Sequence, residues 1–262
     1  MGGCVVATAD QLKRIENGEL YPLLQASTDE ELAPLVDYIL NAATEMLSIE
    51  AIYKQHNPKH SWYADLIGNE IRSFGGNSIA NLFRGGGPEY AEVVADVCSQ
   101  IGVKVGEGEP VAELERKAIT KIFSDAWERM DPKDREAFCE ELRKAGHDGR
   151  SFSAAAPITV IMAQAGVRLT GFLMYRMAII VANAVARQIL GRGLTFAANA
   201  TLSRTLGLFA GPIGWAVTGV WTAVDLAGPA YRVTIPCVLH VGYLRQKRLY
   251  EALAAEAVGG VR

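Results

Sequence analysis

The chain has 262 residues, half of them hydrophobic, a net charge of −3 and four cysteines. That is enough for one large domain or two small ones with a real core. Cys4, Cys98, Cys139 and Cys237 lie too far apart for a zinc knuckle or a redox dithiol, and such sparse cysteines fit a reducing cytoplasm.

The small net charge conceals an asymmetry. Residues 1–148 hold 15 Lys/Arg against 26 Asp/Glu, or −11; residues 149–262 hold 11 against 3, or +8. Met1–Asp10 lacks the cationic start and apolar core of a secretory signal.

In chain order, hydrophobic spacing reads as helix nearly throughout, and no hairpin signal is seen. Thr28 followed by Asp29, Glu30 and Glu31 caps a helix that buries Leu32, Leu35, Val36, Ile39 and Leu40. Asp29–Glu31, and Glu140-Glu141 further on, read as solvated faces. His56 and His60 have a spacing that can chelate a metal on a helix, but Pro58 lies between them and no acidic residue completes a motif. A solvated loop is expected there. A second helix is expected from about Ser61 to Phe74, burying Trp62, Leu66, Ile67 and Ile71.

The most distinctive motif follows, two glycine clusters around one short helix: Gly75, Gly76, Asn77, Ser78, Asn81, then Arg84, Gly85, Gly86 and Gly87. Asn77 or Ser78 can cap that helix, and its free N–H groups with Arg84 can hold an anion. The competing reading is a tight helix corner packed on the core. No Gly-Lys-Ser/Thr follows and no strand precedes, so the phosphate-loop pattern is not met. Pro88 then opens a helix at its first position, with Tyr90, Val93, Val94 and Val97 inward. Gly102 and Gly106–Pro110 form a loop. Val111 to Met130 is amphipathic through Leu114, Ile119, Ile122, Phe123 and Trp127, and Asp131-Pro132 caps a further helix with Phe138 and Leu142. The loop around Gly146–Ser153 is the best domain boundary.

From Gly149 to Val224 there is no Asp or Glu, where average composition would place about nine. The only charges are arginines, the cation best suited to semi-apolar surroundings. A long helix is expected from about Pro157 to Leu190. On it Arg168, Arg176 and Arg187, with Asn183, form a narrow polar stripe, and Arg192 lies just beyond. Such a stripe fits a helix on an anionic surface or one packed on three sides, and not a lipid-surrounded span. Leu206 to Val224 is a 19-residue uncharged run, long enough to cross a bilayer. With Leu226 to Leu244 it suggests a hydrophobic helical hairpin, either buried for good or released to a membrane. Trp215, Trp221, Tyr231 and Tyr243 would suit an interfacial belt, although aromatics at helical spacing also suit a core. His240 reads as a core histidine. The positive half can equally dock on the negative half.

No serine elbow, Cys–His pair, metal cluster or cofactor motif stands out. A hydrolase using His56 or His60 remains a minor alternative. A nucleic-acid partner is disfavoured, because the basic half has one lysine and its arginines sit in apolar sequence.

Phe74–Gly87 with Tyr90 (FGGNSIANLFRGGGPEY) and Ala230–Arg245 (AYRVTIPCVLHVGYLR) resemble the signature stretches of the uncharacterised YaaW-type bacterial family. Gly18–Ile39 (GELYPLLQASTDEELAPLVDYI) is similar to its short N-terminal module. The family brings no catalytic residues to carry over. Its distant grouping with the ubiquinol–cytochrome c chaperone domain implies a helical fold, no cofactor and work near a membrane.

The sequence thus predicts an all-α protein: an acidic helical domain over 1–148 carrying the glycine box, then an apolar, cationic helical region over 149–262. It is expected to be non-enzymatic, cytoplasmic or peripheral at the inner membrane, and to engage an anionic membrane surface or a membrane protein through its C-terminal region. The alternative is a soluble assembly chaperone or scaffold that uses the apolar region as permanent core and holds a protein client. The oligomeric state is left open.

Overall fold

The structure, a computed structural model, describes residues 8–42, 44–75, 87–146, 152–164, 167–194 and 230–259; of 145–146, 167–169 and 257–259 it describes the backbone alone. Among the described residues there are eleven α-helices and no strand. They are α1 (Ala9–Glu16), α2 (Tyr21–Gln25), α3 (Asp29–Leu40), α4 (Ala51–His56), α5 (Ala64–Phe74), α6 (Tyr90–Gln100), α7 (Val111–Arg129), α8 (Pro132–Gly146), α9 (Ile158–Gln164), α10 (Val167–Leu190) and α11 (Tyr231–Gly259). Two 3₁₀ turns, Leu47–Ile49 and His60–Tyr63, flank α4.

Local chemistry accounts for most helix starts. Thr28 and Thr8 each close a capping box, with Glu31 and Gln11 returning the bond. The Asp131 side chain accepts from the Lys133 amide at 2.7 Å, and Pro132 takes the first helical position, where a missing N–H costs nothing.

The bundle is organised around α11. Every residue from Val233 to Gln246 is buried, and α11 packs on α1, α3, α5, α6, α7 and most extensively α10. A helix apolar on all sides belongs in a core. It runs opposite to α10. The Tyr250 ring lies 5.1 Å from Tyr175 and 5.7 Å from Phe172, while Asp37 and Tyr38 of α3 link Arg192, beyond the far end of α10, to His240. Buried side chains from both sides of residue 148 join one hydrophobic cluster. The change of charge near 148 therefore does not coincide with a break in the described core.

Several local expectations change. The segment 61–74 is a 3₁₀ turn followed by α5, and Trp62 is 62% exposed instead of buried. His60 is buried, with Nδ1 2.5 Å from the Tyr63 hydroxyl, while Asn57, Pro58 and Lys59 before it form an exposed turn. The α6 helix begins at Tyr90 with Glu89 as its cap, two residues after Pro88. Of the long helix expected over 157–190, α9 and α10 are described, and 165–166 lie outside the described residues. Thr170–Leu190 is long and apolar enough to cross a membrane, yet most of it is buried inside the bundle. The second arm of the expected hairpin becomes core helix from Val233 onward; the first arm, 206–224, lies outside the described residues.

Candidate functional site

The polar centre of the molecule is Arg245, near the middle of α11 and fully buried. Its Nε donates to Glu115 Oε2 at 2.6 Å and its Nη2 to Glu115 Oε1 at 3.0 Å. The remaining guanidinium hydrogens reach backbone carbonyls in the last turn of α1 and just after it: Ile15, Glu19 at 3.2 Å and Gly18 at 3.2 Å. Tyr90 donates its hydroxyl to Glu115 Oε1 at 2.9 Å. Burial acts to lower the Arg245 pKa, but the charge and hydrogen bonds of Glu115 outweigh it and the pKa is raised. Burial, then the Glu115 charge, pushes the Tyr90 phenol well above its ordinary value.

Backbone geometry makes this centre possible. Gly18 has φ +94°, and a Cβ there would sit 2.7 Å from the Val111 Cβ. That left-handed turn brings two of the accepting carbonyls onto the guanidinium. Gly242 lets α11 approach α7; a Cβ would lie 3.0 Å from Ile119 and 3.3 Å from the Glu115 Cβ.

A second ionic knot lies a turn further along α11. Lys247 and Arg248 both pair with Glu31, the residue that also closes the Thr28 capping box, and both reach Glu251 at 3.1 Å. Arg248 also donates to the Ala26 carbonyl at 2.8 Å. Burial acts to raise the Glu31 pKa, and the two cations overcome it, holding the carboxyl below its ordinary value. Glu31 is therefore not on a solvated face. Neither is Glu141, which pairs with Arg176 at 2.7 Å. Asp29, at the helix start, accepts from the Ser61 amide at 2.8 Å.

The ends of the glycine box are clasped. Arg72 donates to the carbonyls of Pro88 at 2.7 Å and Gly87 at 3.2 Å, and to the Tyr21 hydroxyl at 2.8 Å. Gly75 packs on Val93, and Gly87 on the Arg72–Ser73 backbone. Gly76, Asn77, Ser78, Asn81, Arg84, Gly85 and Gly86 lie outside the described residues.

The arginine stripe does not act as one surface. Arg176 is buried, with its guanidinium 5.9 Å from the Phe172 ring centre. Asn183 is buried too, and accepts from the Leu194 amide at 3.1 Å. Arg187 and Arg192 are exposed, the latter paired with Asp37. The Arg168 side chain, Trp215 and Trp221 lie outside the described residues. Tyr231 is half-buried, and Tyr243 is core, its ring 5.4 Å from His240. His240 is buried as expected, with Nε2 2.8 Å from the Glu31 carbonyl.

No group of His, Cys, Asp or Glu among the described residues can hold a metal. Burial raises the thiols of Cys98 to about 12 and Cys139 to about 11, and pushes Cys237 up as well, which makes all three poor nucleophiles. A mixed groove of about 720 Å³ runs past Leu12, Lys13, Arg116, Met174, Gln246 and Leu253. Its charged lining is Lys13, Glu16, Arg116 and Glu256.

Sequence reasoning missed the Arg245–Glu115 centre. The available signal was a carboxylate on the apolar stripe of α7, beside Leu114 and one helical turn before Ile119, together with an arginine directly after the run 233–244, which holds no Asp, Glu, Lys or Arg. The three segments that carry the family resemblance meet here: Gly18 and Glu19 from the first, Tyr90 from the second and Arg245 from the third.

Relatives share this chain over most of its length. A UPF0174 protein of Helicobacter pylori strain J99 is 40% identical over 203 residues, covering 78% of this chain and 79% of the relative. The chain belongs to the UPF0174 family. A second H. pylori UPF0174 protein, from strain 26695, is 34% identical over 207 residues and matched over 97% of its own length. The UPF0174 protein YaaW of Escherichia coli K12 is 29% identical over 199 residues, or 76% of each chain. These names support the YaaW-type family and lend nothing to the chaperone grouping. No family model and no solved structure matches the chain.

Proposed function

We propose that this UPF0174 protein is a non-enzymatic helical protein that engages an anionic membrane surface or a membrane protein through its C-terminal region. One observation carries the reading. The uncharged run Leu206–Val224 is tethered on both sides to the antiparallel core pair α10 and α11, so the chain departs at Leu194 and returns at Ala230 from the same end of the bundle. Arg187 is exposed close to that departure point, where anionic phosphates can meet it, and Arg192, exposed beside it, would have to exchange its Asp37 partner for one. Arg176 is withdrawn from this role because Glu141 already neutralises it. A soluble scaffold or assembly chaperone is the second reading. It is favoured by the burial of Val233–Leu244, the last part of the apolar stretch 206–244, in the core.

Liposome flotation of the intact protein decides between them. The membrane reading expects recovery with anionic vesicles above that with neutral ones. The Arg187→Glu/Arg192→Glu variant should bind anionic vesicles at least about tenfold more weakly, at roughly 1 kcal/mol per surface charge. Recovery near zero with both vesicle types removes the membrane surface and leaves the scaffold.

A further inference from the structure

The residues next to the central ion pair, Gln246 after Arg245 and Arg116 after Glu115, both line the groove of about 720 Å³. Gln246 is 5% exposed, and among the described residues its amide nitrogen has no hydrogen-bond partner. A buried donor of this kind calls for an acceptor from outside the bundle. The terminal amide can turn about its last bond, exchanging nitrogen and oxygen, so its N–H groups can face the groove. Arg116 is half-buried and donates through Nη1 to Glu113 at 3.0 Å; among the described residues its Nε and Nη2 have no partner. One end of the groove is therefore built from hydrogen-bond donors that lack acceptors.

From Gln246 the floor continues along one face of α11 through Leu249 and Leu253 to Glu256, walled by Leu12 of α1 and Met174 of α10. Gly171 keeps this stretch open, since a Cβ there would press on the Leu253 Cδ1 at 3.0 Å. Ten residues of helix make a trough of about 15 Å, the extended length of an alkyl chain of about twelve carbons. We infer that the groove binds a single-chain anionic amphiphile of that length, its head accepting from Gln246 and Arg116 and its chain lying along Leu249 and Leu253. The donors select the head. A guanidinium fork matches the paired oxygens of a carboxylate or phosphate, whereas an ammonium head would leave the Gln246 nitrogen unbonded and set its own charge against Arg116. Lys13 and Glu16, three residues apart, and Glu256 are exposed at the rim. The site does not depend on the function proposed above. It lies towards the start of α10 and the end of α11, at the other end of the bundle from the departure of 195–229.

The test is isothermal titration calorimetry of the full chain, without vesicles, against dodecanoate, dodecyl phosphate and dodecylammonium, each below its micelle concentration. The expected result is one site per chain that holds the anionic amphiphiles at least about tenfold tighter than dodecylammonium. The tighter of the two anions names the head. Across a series of carboxylates, affinity should rise about fourfold for each methylene up to about twelve carbons and then level off, where further carbons leave the trough. Arg116→Gln and Leu253→Asp should each weaken dodecanoate about tenfold. Both side chains reach solvent, so an unchanged urea midpoint certifies the fold. Gln246→Leu, close in size but without the amide, should weaken binding while leaving the gain per methylene intact.

No saturable heat with either anion overturns the site. Equal affinity for dodecylammonium overturns it too, because the alkyl chain alone would then be held. Full affinity in both the Arg116→Gln and Leu253→Asp chains places binding elsewhere and has the same consequence. Concentration-dependent dimerisation that Leu253→Asp abolishes, with no amphiphile bound, assigns the groove to a second copy and overturns the ligand.

Discussion

Arg245 and Glu115 form a two-pronged ion pair with neither side chain exposed at all, and the remaining guanidinium hydrogens are taken up by the carbonyls of Ile15, Gly18 and Glu19. Desolvating two charges is expensive, and such a pair persists only when nearly every polar atom finds a partner. Here one guanidinium fastens the turn after α1 and the α7 helix to α11. It is expected to set the register of three elements more than to add net stability.

Removing one partner should therefore cost more than removing both. Arg245→Ala or Glu115→Ala is expected to lose about 3–5 kcal/mol in urea unfolding, because the surviving charge is left buried and unpaired. Arg245→Met/Glu115→Leu should lose less than either single variant, retaining the cost of the orphaned carbonyls and of the Tyr90 hydroxyl. A double variant at least as destabilised as the worse single would refute this account.

Two glycines separate steric need from backbone conformation. A Cβ on Gly87 would lie 2.4 Å from the Arg72 carbonyl carbon, against backbone that cannot step aside. Gly102 has φ +79° with nothing within 4 Å of an added Cβ. Gly102→Ala should cost about 1 kcal/mol, the usual left-handed penalty, and Gly87→Ala clearly more, about 2–3 kcal/mol. Chemical denaturation midpoints rank them.

The buried His240 makes stability depend on pH in a window of its own. Burial lowers its pKa from the ordinary 6.5 to about 4, with the Glu31 carbonyl and charge opposing. Below pH 6.5 the unfolded chain takes up a proton that the native state refuses. The contribution is thus complete above 6.5, is lost as pH falls towards 4, and totals about 3 kcal/mol. His240→Gln should flatten that slope. Glu31, whose folded pKa is depressed, contributes stability that is lost at lower pH, beneath its ordinary 4.5. Unfolding free energies measured between pH 7 and 4 would contradict the assignment if the two proteins fall in parallel.

Thiol chemistry reports the core directly. Cys98, Cys139 and Cys237 are buried and reduced, and burial raises their pKa values. Ellman's reagent at mildly alkaline pH should titrate no more than one thiol per native chain and all four in denaturant. Rapid reaction of two or more in the native state would show that the core opens at α6, α8 or α11, the helices that carry Cys98, Cys139 and Cys237.

The helices themselves were legible because their signals are local. Thr28 and Glu31 form a capping box wherever the chain places them, Asp131-Pro132 starts a helix by its own geometry, and the spacing of Leu32, Leu35, Val36 and Ile39 marks a buried face before any neighbour is known. Composition alone also separated the acidic and cationic halves. What local pattern cannot supply is the partner. Glu31 and Glu141 looked solvated because their cations lie 217 and 35 residues away. Trp62 looked buried because its spacing suits a helix face, while the 3₁₀ turn at His60–Tyr63 rotates it into water. Arg176 and Arg187, read from the sequence as one stripe, both lie on α10. Packing then divided the stripe, placing Arg176 against Glu141 and leaving Arg187 outside. Periodicity is a property of one helix; which of its charges faces carboxylate, lipid or water depends on what the bundle sets opposite, and that is a long-range arrangement of the whole chain.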